Sequence, residues 1–196
     1  MFDKKIYIER REKLKESLKN GVVVFPGNQE SPRNYKGNDY HFEQDSTFLY
    51  YFGMNVPNLI GVIDIDNNQE YIFGTDFTLD DIVWMGEQKL LKSFAQDAGV
   101  NNFIEMTEFE NFANNLITEK RELLFLPQYR AETVIQLSKA FKLNPFNFEE
   151  NISEELIKAV VEHRNIKSQL EIEEIEKAVN ITREMHLEAM RVAKPG

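Results

Sequence analysis

The sequence predicts an α/β fold: a mixed, mostly parallel sheet with helices on both faces, followed by one long C-terminal helix. Three observations predict it. Short β-branched apolar runs alternate with helix-patterned stretches. The leading strand run is continuously apolar, as in a strand covered on both faces. The last segment, residues 168–196, opens on a capping box and stops at Pro-Gly.

In chain order, Lys4 to Asn20 is rich in Lys, Glu, Arg and Leu, places Leu14 and Leu18 four apart, and ends at Asn20-Gly21. That pattern predicts a helix with a glycine stop. Gly21-Val22-Val23-Val24-Phe25-Pro26 predicts a strand buried on both faces. From Pro26 to Tyr40 the chain is turn chemistry, with Gly27, Asn28, Ser31, Pro32, Asn34, Gly37 and Asn38. Residues 46–52 and 59–65 are then expected as strands, and the second turns through Asp66-Asn67-Asn68 into residues 70–74 as a hairpin. Helices are expected near 79–85, 87–98, 108–117 and 131–141, separated by apolar strands at 102–105 and 122–126.

The C-terminal part differs in character. Ser153-Glu154-Glu155 caps a short helix bearing Leu156, Ile157, Val160 and Val161, and residues 162–167 read as a connector. Ser168-Gln169-Leu170-Glu171 then opens a helix that runs to Ala193 before Lys194-Pro195-Gly196. Its apolar stripe, Ile172, Ile175, Val179, Met185, Ala189 and Met190, extends along roughly 39 Å at 1.5 Å per residue. A stripe of that length calls for a partner outside this chain. The expected organisation is one domain over 1–161, a connector over 162–167, and over 168–196 the first helix of a second domain that is otherwise absent.

Composition narrows the function classes. Of 196 residues 42% are hydrophobic, the formal net charge is −10, and there is no cysteine. Disulfides and thiolate metal sites are excluded. Acidity of this degree disfavours a nucleic-acid surface, which needs clustered Lys and Arg. No apolar run approaches the roughly 20 residues of a spanning helix, so no membrane partner is expected. The charged N-terminus lacks the apolar core of a signal peptide, and a cytoplasmic location is the expectation.

Several chemical patterns read as structural. Asp64-Ile65-Asp66-Asn67-Asn68 imitates the start of a calcium loop, but Gln69 and Thr75 stand where glycine and glutamate are required, so a polar hairpin turn is expected. Asp76, Asp80 and Asp81 are expected near a helix start, where carboxylates complement the backbone dipole. His41, His163 and His186 have no second ligand at metal spacing. The nucleophile elbow, the Walker loop and the dinucleotide glycine pattern are all missing from the sequence. Asn151-Ile152-Ser153 and Asn180-Ile181-Thr182 match the glycosylation pattern without a compartment to use it.

Two segments ask for more than packing. Tyr40-His41-Phe42-Glu43-Gln44-Asp45-Ser46-Thr47-Phe48-Leu49-Tyr50-Tyr51-Phe52-Gly53 brings polar and aromatic residues together on an expected strand. Asp81-Ile82-Val83-Trp84-Met85-Gly86 sets the only tryptophan just before a glycine. Together with Arg10-Arg11-Glu12-Lys13-Leu14, and with Glu162, Arg164, Lys167-Ser168, Glu171-Ile172, Ala178, Ile181-Thr182, His186, Ala189-Met190 and Pro195-Gly196, these segments resemble the N-terminal part of the Xaa-Pro aminopeptidase, prolidase and creatinase family. The resemblance covers essentially the whole chain. Two positions depart from the family pattern: Glu43 replaces an arginine, and Met85 replaces an aromatic residue.

The resemblance implies an accessory domain that restricts access, limits substrate length and builds dimers or tetramers, joined to the first helix of a pita-bread catalytic domain. It implies a full-length metallopeptidase that releases an N-terminal residue preceding proline. Two divalent metals, commonly manganese, would be held by two aspartates, a histidine and two glutamates downstream of Pro195-Gly196. On this resemblance no catalytic residue and no metal ligand lies in the chain. Trp84 is the one substrate-proximal residue it implies, acting in a neighbouring subunit's site. The implied partners are the protein's own catalytic domain, further copies of itself, and proline-containing peptides. A metal-free member of the same fold that binds peptides or histones, and a creatinase-type hydrolase, are the competing readings. The five metal ligands in a longer chain would separate the first of these from the peptidase.

Overall fold

The computed structural model describes residues 2–35, 37–87 and 89–195. Gln88, inside the helix expected over 87–98, and Gly196, in the expected stop, lie outside the described residues. The chain forms two compact units, Met1–Val160 and Val161–Gly196.

In the first unit five strands make one sheet: β1 (Val22–Pro26), β2 (Ile60–Asp64), β3 (Gln69–Gly74), β4 (Asn102–Glu105) and β5 (Leu123–Phe125). Their order is β4-β3-β2-β1-β5. The inner pairings β1/β2 and β2/β3 are antiparallel, with Val24 opposite Val62 and Val62 opposite Tyr71. The outer pairings β3/β4 and β1/β5 are parallel, with Ile72 opposite Phe103 and Val23 opposite Leu124. Four strands therefore share one direction and β2 alone is reversed, which is the mixed, mostly parallel sheet the sequence predicts.

Every position of β1 and β2 is buried. Because side chains alternate between faces, the continuous apolar run of β1 supplies two cores at once. Val23 and Phe25 pack with Leu14, Leu18, Phe48, Tyr51, Phe52 and Ile63. Val22 and Val24 pack with Phe109, Leu137 and Phe141 on the other face. The first core is covered by α1 (Lys4–Leu18), α2 (Ser46–Phe52) and α4 (Leu91–Asp97). The second is covered by α5 (Phe109–Thr118) and α6 (Ala131–Phe141).

Three expectations about elements need correction. Residues 46–52 form α2 and not a strand. Asp45 caps its N-terminus, its Oδ1 accepting from Thr47 N at 2.9 Å and Phe48 N at 2.8 Å. Gly53 ends it at φ +66°, where a Cβ would fall 2.2 Å from the Tyr7 ring. Between those caps Thr47, Phe48, Tyr51 and Phe52 are buried, which is helical spacing, and Phe25 stacks on Tyr51 with ring centroids 5.0 Å apart. Secondly, α4 begins only at Leu91. Its own N-cap, Leu90, offers no side-chain acceptor, and Asp76 Oδ1 supplies one to Leu91 N at 2.9 Å. Thirdly, the segment 162–167 is helical as far as Asn165, as the end of α7 (Glu154–Asn165).

The second unit contains α8 (Gln169–Val192), a helix of 24 residues opened by the expected capping box: Ser168 Oγ accepts from Glu171 N, and Glu171 Oε2 accepts from Ser168 N at 2.9 Å. None of its residues is buried, and Ile175, Val179, Met185 and Met190 are exposed.

One buried cation ties the first unit together. The Arg11 side chain is fully buried; its Nε donates to Glu70 Oε2 at 2.8 Å, Nη1 to Tyr51 O at 2.8 Å, and Nη2 to Ala98 O at 3.0 Å. Burial pulls the guanidinium below its usual range and the Glu70 carboxylate opposes the shift. Removing the guanidinium leaves the buried Tyr51 and Ala98 carbonyls without it, while Glu70 keeps Lys15 at 2.9 Å. Arg11→Met is expected to lower unfolding free energy by about 3 kcal/mol or more in urea titrations. An unchanged midpoint for Arg11→Met would show that the guanidinium does not organise the unit.

Candidate functional site

The tryptophan singled out by the sequence sits on α3 (Leu79–Met85), a short helix fixed at both ends. Thr78 Oγ1 accepts from Asp81 N at 3.2 Å, and Asp81 Oδ2 accepts from Thr78 N at 2.8 Å and from its hydroxyl at 2.6 Å. Those hydrogen bonds hold the Asp81 carboxyl below its ordinary range. At the other end Gly86, at φ +79°, donates its N–H to Ile82 O at 2.8 Å. Asp81 caps α3 as expected and Asp80 lies in its first turn, whereas Asp76 serves α4.

On this anchored helix the apolar side chains face water. Trp84 is 88% exposed, Leu79 82% and Val83 79%, and Ile82 is also exposed. A buried tryptophan would be core; this one is displayed to solvent on the same short helix as three exposed aliphatic residues.

The Tyr40–Tyr50 segment behaves differently: His41 and Glu43 are exposed, while the polar groups of Gln44 and Asp45 are engaged inside the fold. Gln44 is buried; its Oε1 accepts from Asn28 N at 2.6 Å and Asp45 N at 2.9 Å, and its Nε2 donates to Val56 O at 2.7 Å. Asn28 Nδ2 donates to the backbone carbonyl of Glu43 at 2.9 Å. These bonds fasten the exit of β1 to the loop after α2. Glu43 itself is exposed and contributes only its carbonyl, which accounts for a charge reversal being accommodated there.

Beside this knot opens a cavity of about 410 Å³ whose walls include Asn28, Glu43, Asp45, Tyr129 and Arg130, with His41 also lining it. The Tyr129 hydroxyl reaches Asn28 Oδ1 at 3.1 Å and Asp45 Oδ2 at 3.2 Å, so its single proton serves two acceptors. Burial and the Asp45 carboxylate raise its pKa, against the Asn28 hydrogen bond, which keeps it a donor at neutral pH. Arg130 is held by Gln29 O at 2.8 Å and Glu132 at 3.0 Å. Tyr129 and Arg130 escape a sequence reading, since Gln128-Tyr129-Arg130 carries no periodicity and meets its partners across about a hundred residues of chain.

The acidic hairpin turn is pinned by Arg121, another residue that the sequence does not flag. Its guanidinium pairs with Asp64 and, at 2.8 Å, with Asp66 Oδ2. Asp64 also accepts from Asn67 N at 3.1 Å, and Asp66 Oδ1 accepts from Gly21 N at 3.0 Å. His41 and His186 are exposed and His163 is buried in α7. Among the described residues there is no group of three or more His, Asp or Glu placed to hold a metal ion. No helix among them is long and apolar enough to cross a membrane.

Comparison with known proteins follows the same lines. The family described as Aminopeptidase P, N-terminal domain matches residues 7–125. The Xaa-Pro dipeptidase of Homo sapiens is 26% identical over 178 residues, which cover 89% of this chain and 35% of that protein. The Xaa-Pro dipeptidase of Mus musculus is 25% identical over 202 residues, covering 97% and 40%. Aminopeptidase P from E. coli in its low pH form superposes over 100% of this chain and 46% of its own, with TM-score 0.79 and 21% identity. Pseudomonas aeruginosa aminopeptidase PepP gives TM-score 0.81 at 17% identity with the same coverage. At these identities the structural likeness is one of fold. The chain spans little more than a third of the length of these curated relatives and under half of these structures.

Two outcomes follow from the geometry. Gln44→Ala leaves the buried Asn28 N–H and Val56 carbonyl without partners and is expected to cost about 2 kcal/mol or more, read from urea midpoints; a neutral substitution would contradict the knot. Asp66 has a depressed carboxyl pKa, caused first by the Gly21 N–H, opposed by burial and reinforced by Arg121. A depressed pKa in the folded state contributes stability above the unfolded value of about 3.9 and loses it as pH falls through the folded one. The stability gap between the wild-type chain and Asp66→Asn is therefore expected to be constant near neutrality and to close below about pH 4. A gap that widens on acidification would reverse the assignment.

Proposed function

This chain belongs to the aminopeptidase P N-terminal domain family, and from that membership we propose that it is the non-catalytic accessory part of a metal-dependent Xaa-Pro aminopeptidase. The full-length protein, on this reading, releases an N-terminal residue that precedes proline. The match across residues 7–125 carries the proposal. The Xaa-Pro dipeptidases among its relatives support the substrate class, and the short share of their length that the chain spans supports a partial role.

The accessory role is the reading under which this chain's residues need supply no metal ligand. The described carboxylates and histidines do not fit a metal pair, so no step of metal chemistry is assigned to this chain. A bound metal pair supplies a hydroxide near neutral pH and polarises the scissile carbonyl; on this reading its ligands belong to the rest of the full-length protein. The contribution of this chain is to position, restrict and assemble. Trp84, displayed on the anchored α3 with Leu79, Ile82 and Val83, is the residue suited to reach a neighbouring subunit's site. The exposed apolar residues of α8 suit the remainder of the catalytic domain.

The test uses the full-length protein and a short Xaa-Pro peptide in the presence of manganese. Release of the N-terminal residue is expected, from a dimer or tetramer, while residues 1–196 alone stay inactive. Trp84→Ala is expected to lower kcat/KM by about tenfold without changing thermal stability. Binding of the peptide without hydrolysis would overturn the peptidase reading in favour of a metal-free binding module. Unchanged kinetics in Trp84→Ala would remove the residue from the site and leave the family intact.

A further inference from the structure

Asn20 and Gly21 form the corner between α1 and β1, and the fold requires the glycine. Gly21 has φ +96°, and a Cβ there would stand 3.0 Å from Leu124 Cδ1. An asparagine followed by glycine is the pair in which the next backbone nitrogen most freely reaches the side-chain carbonyl carbon, since no Cβ obstructs it. In this structure both groups that would react are occupied. The Gly21 N–H donates to Asp66 Oδ1 at 3.0 Å, and Asn20 Nδ2 donates to Glu122 Oε2 at 2.5 Å. Each acceptor is itself fixed. Arg121 grips the other Asp66 oxygen, with Nη2 at 2.8 Å and Nε at 3.2 Å. The Glu122 carbonyl accepts from Val22 N at 2.8 Å.

We propose that Asn20 is a site of spontaneous deamidation, and that Asp66 and Glu122 hold the reaction in check while the corner is folded. In the reaction the Gly21 nitrogen gives its proton to a solvent base and bonds to Asn20 Cγ. The Cγ–Nδ2 bond breaks, the departing nitrogen takes a proton from solvent and leaves as ammonia, and a succinimide remains. Water opens that ring to aspartate or isoaspartate at position 20, with no oxidant or reductant involved. Attack requires the Gly21 nitrogen to lose its proton and leave Asp66, whose carboxylate accepts that N–H at 3.0 Å. The reaction therefore waits on local opening of the corner.

The consequence falls on the sheet. Isoaspartate adds a methylene to the backbone path just before β1, where Gly21 O accepts from Ile65 N at 3.0 Å and Val22 pairs opposite Asp64. Either product also sets a new carboxylate against Glu122. Deamidation at this corner is expected to loosen the strand that supplies both cores.

Peptide mapping by mass spectrometry, with isoaspartate resolved chromatographically, tests the proposal on the whole 196-residue chain at mildly alkaline pH. Conversion at Asn20 is expected to be about tenfold slower in the native chain than in guanidinium chloride. It should rise severalfold in Asp66→Ala and in Glu122→Ala, with circular dichroism reporting whether each variant is folded. Equal rates in native and unfolded chains would overturn the proposal, as would unchanged rates in folded variants. Should Asp66→Ala unfold, Glu122→Ala at an exposed position carries the test. Amide exchange at Gly21 gives an independent readout: protection is expected in the wild-type chain, and rapid exchange would overturn the lock.

Discussion

Arg11 is the constraint on which the first unit depends. Its guanidinium lies where three elements converge on α1, and two of its three contacts are carbonyls at helix C-termini: Tyr51 O in the last turn of α2, and Ala98 O just past α4. Those are the carbonyls a helix leaves without partners, at the negative end of its dipole. Arg10 adds a second cation on the same helix end, donating to Tyr50 O at 2.8 Å and lying 3.9 Å from the centre of the Tyr50 ring. A seven-residue helix is far below the length at which helices sustain themselves in water. α2 persists because Asp45 closes one end and the two arginines with Gly53 close the other. The paired arginines, read in the sequence as a family feature, are a C-terminal cap supplied by a different helix.

The same point explains which parts of the fold were legible. β1 was visible because an uninterrupted β-branched run has one physical reading when both faces are covered, and the β2/β3 hairpin was visible because its turn residues are local. Residues 46–52 misled because their aromatic and β-branched composition favours a strand, while the deciding signals were a capping aspartate and a glycine at its flanks together with arginines about 40 residues away. The start of α4 was misplaced for a related reason. Its cap is Asp76, fifteen residues upstream, and an intervening helix separates the two. Tyr129 and Arg121 were invisible because each acts through a pairing that only the folded chain creates.

Of the two segments that looked functional, one is consumed and one is displayed. Gln44 and Asp45 spend their hydrogen-bonding capacity on Asn28, Thr47, Phe48 and Val56, so their presence reports a backbone that needs fastening. Trp84 is 88% exposed and stands on a helix whose own ends are fixed. The sequence treats the two segments alike, since aromatic and polar residues occur in both. Burial separates them: Gln44 is buried, whereas Trp84 is exposed.

An aromatic ring and three aliphatic side chains of α3 stand in water on a chain with net charge −10, and covering them would release roughly 25 cal/mol per Å². Capping of α3 at Thr78 and Gly86 fixes the helix in advance, which lowers the ordering entropy that covering it would cost. α8 stands in the same condition: it is opened by a capping box, laced by pairs such as Lys177 with Glu174 and Arg191 with Glu188, and has no buried residue. An isolated amphipathic helix is marginal on propensity and exposed ion pairs alone. Capped in advance and bearing exposed apolar side chains, α3 and α8 each keep in water surface whose covering would be favourable without further ordering of the helix.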